Sequence, residues 1–139
     1  MPRRDATHEA VKNALIKDDW TIIADPLRIK LETNDFYIDL AAEKVLVAEK
    51  GKRKIAVEIK TFLGDSLITE FYTALGQYLS YRIALSQQQS DYDLYLAVSS
   101  DIYQTFFLKQ IVPKVAITEL RLKLLVYHPQ QEEIWQWIN

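Results

Sequence analysis

The segment Leu94-Tyr95-Leu96-Ala97-Val98 constrains this chain most. Five consecutive apolar residues between Asp93 and Ser99 read as a buried strand, and such a strand needs other layers packed on it. The flanking sequence supplies them. Upstream, Gly64-Asp65-Ser66 provides an N-cap for a long helix reaching about residue 87, with Leu67, Phe71, Leu75, Tyr78 and Leu85 on one face. Downstream, a helical stretch starts at Asp101 and is broken or kinked at Pro113, which removes a hydrogen bond and clashes with the preceding turn.

The remaining periodicities divide the same way. Asp5 is placed to cap a first helix over about residues 6–18, with Ala10, Val11, Ala14 and Leu15 as its buried stripe. Trp20 to Ala24 reads as a strand stopped by Asp25-Pro26. Leu27, Ile29 and Leu31 alternate with polar residues, and Phe36 to Leu40 is the next strand. Val45 to Ala48, a Glu49–Arg53 turn containing Gly51, and Lys54 to Phe62 make a hairpin. A second hairpin joins Leu122–Tyr127 to Glu133–Ile138 around His128-Pro129-Gln130-Gln131. Trp135 and Trp137 fall on one face of its last strand, opposite Ile134 and Ile138. A strand apolar on both faces implies burial in the core or in a subunit interface, so a homodimer is one reading. Gly76, in mid-helix, implies close approach of another backbone. Strands interleaved with helices, plus hairpins, predict an α/β fold with a mixed sheet and packed helices. With no linker or repeat, the 139 residues form one domain, 1–139.

Composition narrows the chemistry. The absence of cysteine removes thiolate catalysis, disulfides and cysteine-ligated metals. His8 and His128 are the whole supply of imidazole, too few for a histidine-rich metal centre; both read as structural or solvent-facing. Seventeen basic and nineteen acidic residues leave a net charge of −2, which excludes a surface that attracts nucleic acid everywhere but permits a local basic patch. No apolar run approaches the roughly 20 residues of a membrane span, and the start lacks a signal-peptide pattern, so the expectation is a cytoplasmic protein without a membrane partner. Chemistry must then run on carboxylates, lysine, hydroxyls or a hard metal ion.

The candidate segment is Lys54-Ile55-Ala56-Val57-Glu58-Ile59-Lys60-Thr61-Phe62. In a strand, Ile55, Val57 and Ile59 point one way while Glu58 and Lys60 point the other. A carboxylate with an ammonium about 6–7 Å further along one face suits phosphodiester hydrolysis: the carboxylate holds Mg²⁺, and the lysine orients water or offsets growing negative charge. Asp39, in the apolar run Phe36-Tyr37-Ile38-Asp39-Leu40, supplies a second carboxylate. The competing reading is an ion pair on a solvated sheet face. If the first hairpin turns near Gly51, Glu58 lies opposite Lys44 or Val45, and Asp39 falls about 16–20 Å away along a straight strand. A bulge or bend at Ala41-Ala42-Glu43 is therefore expected.

Other residues are weaker candidates. Glu70, Thr73 and Gln77 make a polar stripe on the long helix. Lys50, Lys52, Arg53 and Lys54 crowd a hairpin tip where they either grip DNA phosphates or form a solvated turn. Glu9 is either an auxiliary ligand or an exposed residue.

Asp39 followed by Glu58-x-Lys60, within α-β-β-β-α-β, resembles the PD-(D/E)xK superfamily of restriction-endonuclease-like domains; Ile38 stands where proline is usual. The whole chain more narrowly resembles the XisH-type fdxN-element excision controlling factors. The resemblance is carried by Ala10-Val11-Lys12-Asn13-Ala14-Leu15, Trp20-Thr21-Ile22, Asp25-Pro26-Leu27, Tyr37-Ile38-Asp39-Leu40, Ala48-Glu49-Lys50, Ile55 to Lys60, Ala74-Leu75-Gly76-Gln77-Tyr78, and Val126-Tyr127-His128-Pro129 to Trp137-Ile138. It implies a restriction-endonuclease-like core with a C-terminal β-hairpin. It also implies metal binding (Mg²⁺, with Mn²⁺ as substitute) by Asp39 and Glu58 with the Ile59 carbonyl, Lys60 as catalytic lysine, and Gln77 as a helix residue completing the site. The implied role is control of site-specific excision of a DNA element, in support of a recombinase and beside an XisI-type protein. Two readings stay open: a Mg²⁺-dependent endonuclease using Lys52, Arg53 and Lys54 on DNA, or a non-catalytic module of the same fold that binds a protein or DNA.

Overall fold

A computed structural model describes residues 4–46 and 51–139, with the side chains of residues 4 and 5 excepted. Helix α1 (Arg4–Lys17) comes first, followed by β1 (Thr21–Ala24), β2 (Leu27–Leu31), β3 (Asn34–Ile38), β4 (Leu40–Leu46) and β5 (Gly51–Ile59). Helix α2 (Leu67–Gln87), β6 (Tyr92–Ser99), the short α3 (Ser100–Ile102), a π-helical turn (Tyr103–Phe107), α4 (Ile111–Glu119), β7 (Leu124–His128) and β8 (Glu133–Ile138) complete the chain.

Six strands form one mixed sheet in the order β1-β4-β5-β6-β7-β8, and β2 and β3 form a separate two-stranded sheet. β5, β6 and β7 run parallel to one another, while β1–β4, β4–β5 and β7–β8 are antiparallel. The two parallel steps advance in the same direction across the sheet. Right-handed crossovers then place both connections on the same face, as the packing shows. Phe71 and Tyr78 of α2, Phe106 and Phe107 of the π-helical turn and Ala116 of α4 join Ala56, Leu94, Leu96 and Val98 in one core. On the other face Val11 and Leu15 of α1 pack on Ile55, Val57, Tyr95 and Ala97. β6 is thus apolar on both sides because both sides are covered.

Several local expectations are corrected. Helix α1 begins at Arg4, so Asp5 lies inside it and is not its cap. Ser66 does cap α2, its hydroxyl accepting from the Thr69 amide at 3.3 Å. Pro113 breaks nothing: it sits in the first turn of α4, where no amide donor is needed. The break in the helical stretch comes earlier, between Phe107 and Ile111. Gly76 is exposed, and a Cβ there would meet nothing within 4 Å, so no backbone approaches it. The register of β7 with β8 shifts between Val126–Gln136 and Tyr127–Ile134, leaving Trp135 as the extra residue of a bulge. That bulge separates the two tryptophans: Trp137 packs on Trp20 and Tyr95, and Trp135 on Tyr103 and His128. β8 is an edge strand, not a central one.

Candidate active site

The register of the first hairpin decides the site. Leu40 pairs with Val57, Ala41 with Ala56, Ala42 with Ile55 and Glu43 with Lys54, through to Leu46 with Gly51. Gly51 is already paired, so Gly51 to Lys54 belong to β5 instead of a turn. Asp39, the residue before β4, consequently stands beside Glu58. Two hydrogen bonds join them: the Asp39 amide donates to Glu58 Oε1 at 3.2 Å, and the Ile59 amide donates to Asp39 Oδ2 at 2.8 Å. No bulge interrupts Ala41–Glu43 in this ladder. The carboxylates meet because Gly51 is already a strand residue paired with Leu46, which sets the register up to Leu40 and Val57.

Alternation along β5 sends Ile55, Val57 and Ile59 toward α1, and Ala56 toward α2. Lys60 follows the strand, with its amide donating to the Ala97 carbonyl at 3.1 Å. Its ammonium lies 3.4 Å from Glu70 Oε1, in the first turn of α2. Glu58, Lys60 and Asp39 are each half-buried. With Thr7, His8, Ile59 and Thr61 they line a cleft of about 260 Å³ at the end of the sheet. The fields of the acids reach Tyr81 of α2, whose phenol is pushed up to about 12, chiefly by burial and then by the charges of Glu58 and Asp39.

His8 is the residue that sequence reasoning missed. It is only 7% exposed, and its Nε2 lies 2.6 Å from Asp25 Oδ1, while Lys12 Nζ lies 3.0 Å from Asp25 Oδ2. Burial raises the Asp25 carboxyl, yet hydrogen bonds from Lys12 and His8 outweigh it and hold the group below the usual carboxylate range. Nδ1 of His8 is buried without a hydrogen-bond partner. The signal was present, since His8 stands three and seven residues before Val11 and Leu15 on the buried stripe of α1. Asp25, its partner, is too distant in sequence to be paired with it by any local pattern.

The other candidates divide. Gln77 is exposed on α2 and does not line the cleft. Thr73 bonds back to the Thr69 carbonyl at 3.3 Å and Glu9 is exposed, so both behave as solvated helix residues. Glu70 reaches Lys60, as noted. Lys52 pairs with Glu43 at 3.2 Å, and Lys54 with Asp91 at 3.8 Å. Arg53 lies 3.6 Å from Asp93, bonds to the Tyr95 hydroxyl and stacks on Trp20 and Trp137. Lys50 lies outside the described residues. Lys52, Arg53 and Lys54 stand on β5, each beside an acid. Among the described residues, no three His, Cys, Asp or Glu side chains come together as a metal-holding group, and no helix is long and apolar enough to cross a membrane.

Comparisons with known proteins agree with this architecture. Two crystal structures superimpose on it with a TM-score of 0.87. One is an XisH family protein from Nostoc punctiforme PCC 73102, 46% identical, covering 97% of this chain and 100% of its own. The other is an fdxN element excision controlling factor protein from Anabaena variabilis, 48% identical, covering 98% of this chain and 100% of its own. Among curated proteins none matches. The family model described as XisH protein matches residues 1–135, and with the two structural relatives this establishes that the chain belongs to the XisH family.

Proposed function

We propose that the chain is an excision controlling factor whose sheet-end cleft is a divergent PD-(D/E)xK site for Mg²⁺-dependent phosphodiester hydrolysis. The observation that carries this reading is the β4–β5 register, which sets Asp39 beside Glu58 with Lys60 in the same cleft. The excision role comes from the Anabaena variabilis relative, which bears that description.

The donor set suits Mg²⁺. Two carboxylates offer hard oxygen ligands, and this ion keeps several waters and so needs few protein groups. Asp39 and Glu58 would hold it, with the Ile59 carbonyl as a further oxygen donor. The chemistry supplied by Mg²⁺, when bound, is Lewis acidity toward a phosphate oxygen. Each carboxylate accepts a backbone amide of the neighbouring segment, which holds both in place before substrate arrives. Lys60 orients the attacking water and offsets the charge that grows on the phosphoryl oxygens as water adds to phosphorus and the ester oxygen departs. Glu70 competes for that ammonium in the resting state. Lys52 and Lys54 add phosphate contacts along β5, and an XisI-type protein acts as partner.

A plasmid-nicking assay with Mg²⁺ or Mn²⁺ tests this. Asp39→Ala should abolish metal-dependent nicking, and Lys60→Ala should slow it by about 100-fold or more. Metal-independent nicking, or nicking unchanged in both variants, defeats the proposal. A second reading, a non-catalytic module that binds protein or DNA, is favoured by the Lys60–Glu70 pair and by the lack of a third metal-ligating side chain among the described residues. It predicts no cleavage and intact partner binding in both variants.

A further inference from the structure

A cavity of about 500 Å³ opens at the end of the sheet where β5 and β6 begin, opposite the Asp39–Glu58 cleft. That volume is in the range of small-molecule sites. Its lining carries three cations, Arg82, Arg121 and Lys123, against the single carboxylate of Asp93. Asp93 is already shared, with Lys123 at 3.6 Å on one oxygen and Arg53 at 3.6 Å on the other, so the cavity has a net positive field.

Arg82 is held by the backbone of the turn after α4, and Arg121 belongs to that turn. Arg82 donates from Nη1 to the carbonyls of Leu120 and Arg121, at 2.7 and 3.3 Å. Only one nitrogen of its planar five-donor fork is used in these bonds. Arg121 lies two residues past the end of α4 with φ 53°, a left-handed conformation that glycine or asparagine adopts at least cost. Arginine nonetheless occupies the position, exposed at the cavity rim. The opposite wall is aromatic and aliphatic, with Tyr92, Leu85 and Leu94.

We propose that this cavity binds a free nucleotide, its phosphates held by Arg82 and Arg121 and its base against the Tyr92 wall. Guanidinium groups match phosphate oxygens in geometry and charge. Bare phosphate would leave the apolar wall unused. A DNA backbone favours an exposed basic track, whereas Arg82 and Arg121 line a concavity. The proposal does not rest on the nuclease reading, since the two sites share no residue.

Equilibrium dialysis of the full chain against labelled ADP, without divalent metal, tests it. Saturable one-site binding is expected. Arg121→Gly should weaken it by about tenfold or more while thermal stability holds or rises, because glycine suits the left-handed backbone. Arg82→Gln should weaken binding similarly, whereas Lys109→Gln, away from the cavity, should not. Four outcomes overturn the proposal: no saturation up to about 1 mM ADP, unchanged affinity in Arg121→Gly and Arg82→Gln, inorganic phosphate binding as tightly as ADP, or displacement of ADP by a stoichiometric amount of duplex DNA.

Discussion

Asp39 and Glu58 each hold the other's segment through an amide hydrogen bond, so their charges are fixed where Tyr81 senses them. Tyr81 has a folded pKa near 12 against an ordinary value near 10. The neutral phenol is therefore favoured in the fold, and its stabilising contribution is complete below about pH 10 and lost as pH rises through 12. A ¹³C-tyrosine NMR titration should place Tyr81 near 12. Asp39→Asn with Glu58→Gln should bring it part of the way down, since burial is the larger cause; a Tyr81 pKa near 10 in the native chain would contradict this placement. Asp25 works in the opposite direction. Its folded pKa is depressed, so its contribution is present above about pH 3.9 and disappears as pH falls below that. Asp25→Asn should flatten the acid limb of a stability–pH curve, and an unchanged limb would show that the His8–Asp25–Lys12 contact contributes nothing. At this scale Glu58 and Lys60 were legible from strand alternation alone. The Glu70 and Asp25 pairings were not, because their partners lie on other elements.

Among the elements, α2 is the clearest case of local sequence specifying structure. Its cap at Ser66 and its buried Phe71, Tyr78 and Leu85 were legible in the helical period. Gly76 was misleading, since a mid-helix glycine reads as a close contact and none exists. Gly76→Ala should stabilise the chain by about 0.5–1 kcal/mol, measured by urea denaturation; a destabilised variant would mean that the site is crowded after all. The first hairpin shows the limit of composition for placing turns. Gly51 is a natural turn residue, yet it is already paired with Leu46, and moving the reversal changes which side chain faces Glu58. The β8 bulge acts similarly, sending Trp135 and Trp137 to opposite faces where strict alternation keeps them together.

For the whole molecule, Arg53 ties the α1 side of the sheet together. It reaches Asp93 and the Tyr95 hydroxyl, and it stacks on Trp20 and Trp137 from the two ends of the chain. Arg53→Ala should lower stability by about 1–3 kcal/mol, whereas Lys52→Ala, which removes one exposed pair, should cost less than about 1 kcal/mol. Thermal denaturation of both variants checks this, and equal, small losses would return Arg53 to the solvated surface. The sequence alone determined most elements, because periods of two and 3.6 are properties of neighbouring residues and report which face each segment must bury; it reads Phe36 to Leu40 as one strand, where the structure ends β3 at Ile38 and starts β4 at Leu40. It also marked the acids and the lysine of the candidate site. Tertiary structure decided the β4–β5 register, the order in which parallel strands adjoin, and the placing of His8, Asp25, Glu70 and Arg53. Those depend on contacts between segments far apart in the chain, which are settled only when both faces of the sheet are packed.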